Sequence, residues 1–383
     1  MGFIIIRWAC TLVFLNDGKL PMQNKIEIDK NYFLLLRASI SPQDTALKYW
    51  IEFIDNIRIS KNNPETYLNN LENEAKRILP LIYKNIGNLD IECKEILKES
   101  YKSTWLNNNN LLLRADKVIE QFEKVKIPTL LLKGLPFSIL YYKDFGLRPM
   151  GDVDLLVNGR NLDKSIQILK DNGHQFIPFE MRYRHLMHAY HSFNKDGVDI
   201  DIHRNVFQFL ESEYLNNLFW EEKQELKLLD QTANCLSDTH QMLHVLVHGY
   251  KWGFTEPVNY RWIIDAYMIE KNSRKQIDWD WILDTAVKEK IVLAIKPALV
   301  FLAEEMQISS LVEILPKILS MKLTEDEKLF SNYKVSQNVF LQLYAVLRRN
   351  GAFYRLYYEN KVPFSMLKWQ IDKIRLAIAR RLN

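Results

Sequence analysis

Residues 127–157, IPTLLLKGLPFSILYYKDFGLRPMGDVDLLV, decide the fold predicted for this chain. A short apolar run closes at Lys133-Gly134, as a buried strand does, and residues 136–142 are predicted to form a helix. After a loop, Asp152 leads into a second apolar run at residues 153–157, which predicts another strand. The order strand, turn, helix and strand indicates a compact unit that mixes helix with sheet.

The same kind of pattern continues downstream of this stretch. Residues 162–170 have the spacing of an amphipathic helix that ends at Asn172-Gly173. Strands near 191–194 and 198–203, joined by the turn Lys195-Asp196-Gly197, form a candidate β-hairpin. Together these elements predict a small core built on a mixed sheet.

Helical patterns flank the predicted core on both sides. Apolar residues recur at spacings of three and four over residues 45–57 and 64–79, and helices are expected again after about residue 211. We therefore predict an α+β fold with four parts: an N-terminal extension at 1–30, a helical domain at 31–126, the core at 127–215 and a C-terminal helical domain at 216–383.

Two local signals stand out in the first helical domain. Ser41-Pro42-Gln43-Asp44 has the composition of a helix start, with the serine as cap and the proline in the first turn. The asparagine run at residues 107–110 is a poor helix former, although the helical period resumes over residues 111–121. This run is interpreted as a break or a solvated face.

The composition bounds the class of protein. A length of 383 residues suggests two or three domains, and 48% apolar residues supply a sizeable core. Only 12 glycines and 12 prolines favour helix over an all-β fold. Because 51 basic residues nearly balance 47 acidic ones, a strongly basic nucleic-acid binder is not indicated, which still leaves room for a local basic patch.

The cysteines and the N-terminus bear on the compartment. Cys10, Cys93 and Cys235 are scattered and form no C-x-x-C pair, which argues against a disulfide framework or a cysteine zinc site and suggests a reducing cytoplasm. The apolar residues 1–15 are too short to span a bilayer, so no transmembrane segment is expected. A signal peptide, or an extension upstream of a start at Met22, stays open.

Asp152 and Asp154 are the strongest candidates for chemistry. Side chains i and i+2 of a strand point to one face, roughly 7 Å apart, so both carboxylates can reach the same pair of divalent cations. A D-x-D spacing alone is more often a turn or a solvated strand edge. Here it leads into the apolar residues 155–157, and metal ligation would offset the cost of desolvating two carboxylates. Magnesium suits such a site because it takes hard oxygen ligands.

A third carboxylate can come from the alternating strand at 198–203. Asp199 and Asp201 share one face of that strand, together with His203. A carboxylate on a neighbouring strand can complete a metal site and receive a proton from the acceptor of a transfer reaction. Strand alternation by itself leaves both Asp199 and Asp201 open.

The core sequence resembles a known family. Leu131-Leu132-Lys133-Gly134, Tyr141-Tyr142 and residues 147–157 are similar to the "uncharacterised nucleotidyltransferase" family, which resembles the DNA polymerase β-like nucleotidyltransferase superfamily. Residues 198–203 resemble the family's h-D-h-H strand, whose aspartate two residues before the histidine corresponds to Asp201. The resemblance covers roughly residues 33–300 and extends into a helical block with Ser237-Asp238, His244, residues 248–251, Arg261-Trp262 and Asp265.

This resemblance implies a metal-dependent nucleotidyltransferase whose catalytic unit is the core at 127–215. It would transfer a nucleoside monophosphate from an NTP such as ATP to an acceptor and release pyrophosphate. Asp152 and Asp154 would bind two Mg²⁺ (or Mn²⁺) ions, and Asp201 would bind the catalytic ion and help to deprotonate the acceptor. The phosphates would be held by Lys133, Gly134, Arg148 and Lys251.

The chain departs from the superfamily pattern directly after Gly134. Leu135 stands where serine or glycine is usual, so a hydroxyl contact to the triphosphate is lost. Backbone N–H groups at a helix N-terminus can still bind phosphate, and glycine permits a close approach of the backbone. The acceptor stays open among protein, RNA, peptide and small molecule.

Two other function classes also stay open: a non-catalytic nucleotide- or RNA-binding member of the same fold, and a metal-dependent hydrolase that uses histidines. His240, His244 and His248 share one stripe of a predicted helix. The valines and leucine between them are more typical of a buried helix than of a zinc site. For Arg148, binding a phosphate and pairing with a nearby carboxylate are equally open interpretations.

Overall fold

The computed structural model of the chain describes most of its residues. These are residues 26, 28–177, 187–195, 198–207, 210, 212–249, 261–331, 352, 354–355, 365–369 and 371–372. No helix among them is long and apolar enough to cross a membrane.

Helices precede the sheet, with bounds α1 Lys30–Ile40, α2 Gln43–Ile59, α3 Pro64–Asn69, α4 Asn73–Lys76, α5 Leu79–Ile86 and α6 Lys94–Lys124. The predicted helix at 45–57 lies within α2, but residues 64–79 are divided between α3, α4 and the start of α5. Ser41 does not cap α2: Pro42 takes the N-cap position, and no side-chain cap hydrogen bond forms there.

The asparagine run lies inside the long helix α6, so its interpretation as a break or a solvated face is wrong for Asn108. The Asn108 side chain is 0% exposed, and its Nδ2 donates to the backbone oxygens of Phe145 (2.7 Å) and Arg148 (2.8 Å). Its Oδ1 accepts from the backbone N–H of Met150 at 3.3 Å. The weak helix propensity of asparagine is outweighed because its side chain satisfies buried backbone groups.

The sheet has seven strands, in the order β3-β4-β5-β2-β1-β7-β6. Their bounds are β1 Thr129–Leu132, β2 Asp152–Val157, β3 Gln175–Phe176, β4 Ala189–Phe193, β5 Asp199–His203, β6 Gln224–Lys227 and β7 Thr232–Cys235. β2 runs parallel to β5 and antiparallel to β1, while β4 and β5 pair antiparallel as the predicted hairpin. The fold is therefore α+β with a mixed sheet, and the apolar strands β1 and β2 lie at its centre.

Short helices connect the strands. Between β1 and β2 the chain forms α7 Gly134–Phe137, which continues as a π-helical turn over Ser138–Tyr142. Between β2 and β3 lies α8 Leu162–Asp171, which agrees with the predicted helix at 162–170. Helix α9 Glu213–Glu221 follows β5, and Ser212 caps it by accepting from the backbone N–H of Leu215.

Strands β6 and β7 are a feature that the sequence reading missed. We expected helices alone after about residue 211, whereas this hairpin joins the sheet beside β1. The two strands are four residues each, too short for a clear alternation of polar and apolar residues. Asp116 of α6 holds their turn, because its Oδ1 accepts from the backbone N–H groups of residues 229–231.

Helices follow the hairpin, with bounds α10 Asp238–Gly249, α11 Arg261–Asn272, α12 Trp279–Lys288, α13 Val292–Glu304, α14 Ser309–Glu313, α15 Leu315–Ser320 and α16 Glu325–Ser331. Buried polar contacts join them to the core. The hydroxyl of Tyr141 donates to Asp238 at 2.7 Å, and that of Tyr142 donates to Asp265 at 2.8 Å. Both tyrosines are buried, so they belong to the packed interior beside the sheet.

Candidate active site

The predicted carboxylates lie on adjacent strands in exact register. β2 and β5 run parallel, with Asp152 beside Asp199 and Asp154 beside Asp201. Paired residues of neighbouring strands point to the same face, and their apolar neighbours turn to the other face. Asp154 and Asp201 are each 5% exposed, whereas Asp199 is exposed and Asp152 is partly buried. The structure thus brings Asp152, Asp154 and Asp201 together, with Asp199 at the outer end.

Asp154 is held by two nitrogen donors on the same oxygen. Lys133 Nζ lies 3.2 Å from Asp154 Oδ1, and His203 Nε2 lies 2.7 Å from it. Burial alone would raise the pKa of Asp154, but the Lys133 charge and the His203 hydrogen bond outweigh it and hold that pKa well below its ordinary value. Asp154 is therefore ionised and can act as a ligand or an acceptor.

Asp201 has a partner of its own. His191 of β4 places Nδ1 2.6 Å from Asp201 Oδ2, and the side chain of His191 is about half exposed. The hydrogen bond to Asp201 raises the pKa of His191 above its ordinary value. This contact orients the Asp201 carboxylate and links it to the protein surface.

The chemistry of the cluster fits a divalent cation. Asp154, Asp201 and His203 each offer one ligand atom, and these atoms all lie within 4.8 Å of one another. Asp152 borders the group, and its pKa is raised to about 6 by burial and by the charges of Asp154 and Asp201. A bound cation would relieve this repulsion between carboxylates.

His203 is a candidate ligand that the sequence reading did not propose. Its position in the alternating strand, on the face of Asp201, was the available signal. Asp152, which the sequence did propose as a ligand, borders the three-residue group without belonging to it. Imidazole nitrogen suits zinc and iron better than magnesium, so the Asp-Asp-His set broadens the range of ions that suit the site.

The turn that carries Lys133 is strained. Its backbone has φ 47° and ψ −112°, a combination that costs a non-glycine residue about 1–3 kcal/mol. Immediately after it, Gly134 begins α7 and is buried. A Cβ at Gly134 would lie 2.7 Å from Met150 Sδ, so a larger residue here would displace the flexible Met150 side chain. The strain directs Lys133 towards Asp154, consistent with a functional turn.

Arg148 is committed to a carboxylate far along the chain. Its Nε and Nη2 donate to the two oxygens of Asp265 at 2.8 and 2.9 Å, and the guanidinium lies 5.0 Å from the ring centre of Phe137. Burial raises the free energy of both charges, but their mutual attraction keeps the pKa of Asp265 below its ordinary value. The third nitrogen, Nη1, is 3.8 Å from the Cβ position of Gly134. These contacts favour the structural interpretation while leaving Nη1 facing the turn.

The histidine stripe is packed into the interior. His240 contacts the rings of Phe219 and Trp281, with centroids 5.0 and 4.9 Å away, and burial lowers its pKa to about 4. His244 lies between Phe207 and His248, and burial holds its pKa well below the ordinary value. The group of metal-ligating atoms found among the described residues does not include this stripe. The predicted phosphate ligand Lys251 lies outside the described residues.

Comparison with known proteins identifies the sequence relationship. The model of the family described as "Uncharacterised nucleotidyltransferase" matches residues 72–307. No curated protein matches the chain.

Three solved structures are similar to parts of the chain. A lincosamide antibiotic adenylyltransferase with lincomycin bound is 17% identical, over 40% of this chain and 94% of its own, with a TM-score of 0.29. The antibiotic-resistance factor ANT(2'')-Ia is 10% identical over 43% and 84% of the two chains, with a TM-score of 0.32. An antigenic nucleotidyltransferase-like protein from Paracoccidioides brasiliensis is 13% identical over 57% and 96%, with a TM-score of 0.37.

Proposed function

Because the chain belongs to the family of uncharacterised nucleotidyltransferases, we propose that it transfers a nucleoside monophosphate from an NTP to an acceptor and releases pyrophosphate. The observation that carries this proposal is the pairing of Asp154 with Asp201 on adjacent parallel strands, with Asp152 two residues away on the same face. Three carboxylates this close in a partly buried site suit a cation that also binds phosphates.

Each carboxylate has a role in this proposal. Asp152 and Asp154 would hold divalent cations, and Asp201 would hold one of them and take the proton from the acceptor hydroxyl. Mg²⁺ or Mn²⁺ at this position supplies charge neutralisation of the triphosphate and of the leaving pyrophosphate. His203 keeps Asp154 oriented through its 2.7 Å contact, and His191 does the same for Asp201.

The phosphates are bound by the turn that follows β1. Lys133 supplies a charge, and the buried Gly134 allows the backbone to approach the ligand closely. Arg148 contributes through Nη1, since its other two donors are occupied by Asp265. Lys251 is proposed as a further phosphate ligand on the basis of the sequence.

The test is label transfer from an NTP. The protein is incubated with Mg²⁺ or Mn²⁺ and each NTP, labelled at either the α- or the γ-phosphate, and offered three acceptor pools: itself, total RNA and a small-molecule extract. We expect label from the α-position alone, together with release of pyrophosphate. Transfer of the γ-label would contradict the proposal, since it indicates a phosphotransferase.

Variants of the carboxylates sharpen this experiment. Asp152→Asn, Asp154→Asn and Asp201→Asn should each lower transfer by roughly 100-fold or more, because a ligand to the cation is removed. Asp199→Asn is the matched control on the same strand face and should retain most of the activity. If the protein binds an NTP but transfers neither label to any acceptor pool, the result supports the alternative of a non-catalytic nucleotide-binding protein.

A further inference from the structure

A second feature lies next to the carboxylates, and the function proposed so far uses only Lys133 and Arg148 of it. A pocket lies between the β1–α7 turn and helices α10 and α11, and Lys133 is part of its wall. Lys133 also contacts Asp154, so the pocket begins where the carboxylate cluster ends. A ligand bound at the carboxylates could extend into it past this lysine.

The charge of the pocket wall is positive. Among the described residues, Lys133, Arg148 and Arg261 line it together with one carboxylate, Asp265. Both oxygens of Asp265 already accept from Arg148, and Oδ1 also accepts from Tyr142. The wall therefore presents an excess of hydrogen-bond donors, a composition that suits an anion.

Two nitrogens in the same wall are buried and have no hydrogen-bond partner among the residues that the structure describes. They are His244 Nε2 and Trp262 Nε1, on side chains only 1% and 3% exposed. Leaving a buried donor unsatisfied is costly, and an indole N–H can only donate. A ligand that brings acceptor oxygens into the pocket would satisfy this N–H.

The indole is fixed in place by its packing. A Cβ on Gly249 would lie 2.2 Å from Trp262 Cβ, so helices α10 and α11 approach closely at this glycine. On another side the indole ring meets Phe301, with centroids 6.4 Å apart. A donor held this rigidly loses little entropy when a ligand binds.

We propose that this pocket binds the terminal phosphates of the nucleotide, with Trp262 Nε1 as a donor beside Lys133, Arg148 and Arg261. His244 joins them in the tautomer that carries its proton on Nε2. The inference rests on the proposed function and deepens it, because these phosphates leave as pyrophosphate. A nucleobase is a poorer occupant, since its amino groups need acceptors and the one carboxylate of the described wall is engaged.

The test uses a ligand without base or sugar. Inorganic tripolyphosphate with Mg²⁺ is titrated into the full chain by calorimetry, and AMP is titrated in parallel. Trp262→Phe keeps an aromatic ring and removes the N–H. We expect it to weaken tripolyphosphate about tenfold, which corresponds to about 1.4 kcal/mol, and to leave AMP unchanged. His244→Phe should weaken tripolyphosphate in the same direction.

Thermal unfolding without ligand separates binding from folding. Trp262→Phe removes an unsatisfied donor, so the free protein should lose stability only through the cavity that the smaller ring leaves, and less than a Trp→Phe variant that also breaks a hydrogen bond. Trp50→Phe is the control, because Trp50 Nε1 donates to the backbone oxygen of Glu92 away from the pocket. It should lower stability and leave tripolyphosphate affinity unchanged.

Three outcomes would overturn the inference: wild type that does not bind tripolyphosphate, unchanged tripolyphosphate affinity in both pocket variants, or equal weakening of AMP and tripolyphosphate, which indicates a base site. Failure of the proposed function looks different. The wild type would then bind tripolyphosphate in a Trp262-dependent manner without transferring any label. If the wild type transfers label but the substitutions at Trp262 and His244 leave tripolyphosphate affinity unchanged, only the pocket proposal is rejected.

Discussion

Replacing Asn108 with alanine is expected to destabilise the protein by about 3 kcal/mol, because three buried backbone groups lose their partner. The groups are the oxygens of Phe145 and Arg148, at 2.7 and 2.8 Å, and the N–H of Met150, at 3.3 Å. Each net hydrogen bond contributes about 1 kcal/mol, and the small cavity that remains adds to the loss. The better helix propensity of alanine recovers only about 0.5 kcal/mol.

The measurement is urea unfolding followed by circular dichroism, with the midpoint and slope compared between variants. Asn110→Ala is the matched control, since Asn110 belongs to the same asparagine run and is exposed. It should stay within about 0.5 kcal/mol of the wild type. If Asn108→Ala is as stable as Asn110→Ala, the clamp between α6 and residues 145–150 does not stabilise the fold as argued.

The same substitution also reports on the site. Residues 145–150 carry Arg148 and lead directly into Asp152. Releasing their backbone should therefore lower label transfer in Asn108→Ala even at a temperature where the variant stays folded. Unchanged transfer under those conditions would mean that α6 supports the stability of the fold without positioning the site.

Three further predictions concern buried charges. Asp265→Asn should lower the free energy of unfolding in urea by about 3–5 kcal/mol, because it leaves the Arg148 charge buried without a carboxylate. The double variant Arg148→Met with Asp265→Leu should recover part of this stability, and strictly additive losses would contradict the pairing. His240 has a folded pKa of about 4 against 6.5 when exposed, so the unfolded state binds more protons between these values and stability falls as pH falls through that window. His240 should contribute about 2–3 kcal/mol to the loss at pH 4, allowing for the half-exposed glutamate 3.5 Å away. His240→Gln should lose that much less stability over the same window, while the buried His244, whose pKa is also lowered, contributes in both proteins; equal pH profiles of the two proteins would refute the prediction. Lys133→Met should bind Mn²⁺ several-fold more tightly, since a competing positive charge near Asp154 is removed, and should bind tripolyphosphate several-fold more weakly. Both affinities are measured by calorimetry, and changes in the same direction for the two ligands would contradict the position of Lys133 between the carboxylates and the pocket.

Much of the core could be predicted from the sequence because it depends on local periodicity. The apolar runs at 129–132 and 152–157 form the central strands, and the antiparallel pair β4 and β5 follows from the alternation of these strands and from the composition of the turn between them. Side chains i and i+2 of a strand must share a face, so Asp152 with Asp154, and Asp199 with Asp201, could be grouped within each strand. The roles of these carboxylates stay predictions until the label-transfer variants are measured.

Features that depend on distant contacts could not be read in the same way. The asparagine run looks unfavourable for helix because propensity ignores the backbone groups of residues 145–150, which reach Asn108 only when the chain folds. Arg148 could not be assigned to Asp265, since 117 residues separate them. The short strands β6 and β7 have too little local pattern to be distinguished from loops.

The sequence by itself determined that two carboxylate pairs would lie on strand faces, because strand geometry alternates with a period of two residues. Only the tertiary structure decided that the two strands pair in parallel and in register, which brings Asp154 next to Asp201 and leaves Asp199 exposed. It also decided that Lys133 and His203 meet at Asp154 and that Trp262 and His244 line the pocket beside them. The physical reason is that periodicity is fixed by neighbours along the chain, whereas register and side-chain contacts are selected by packing across it.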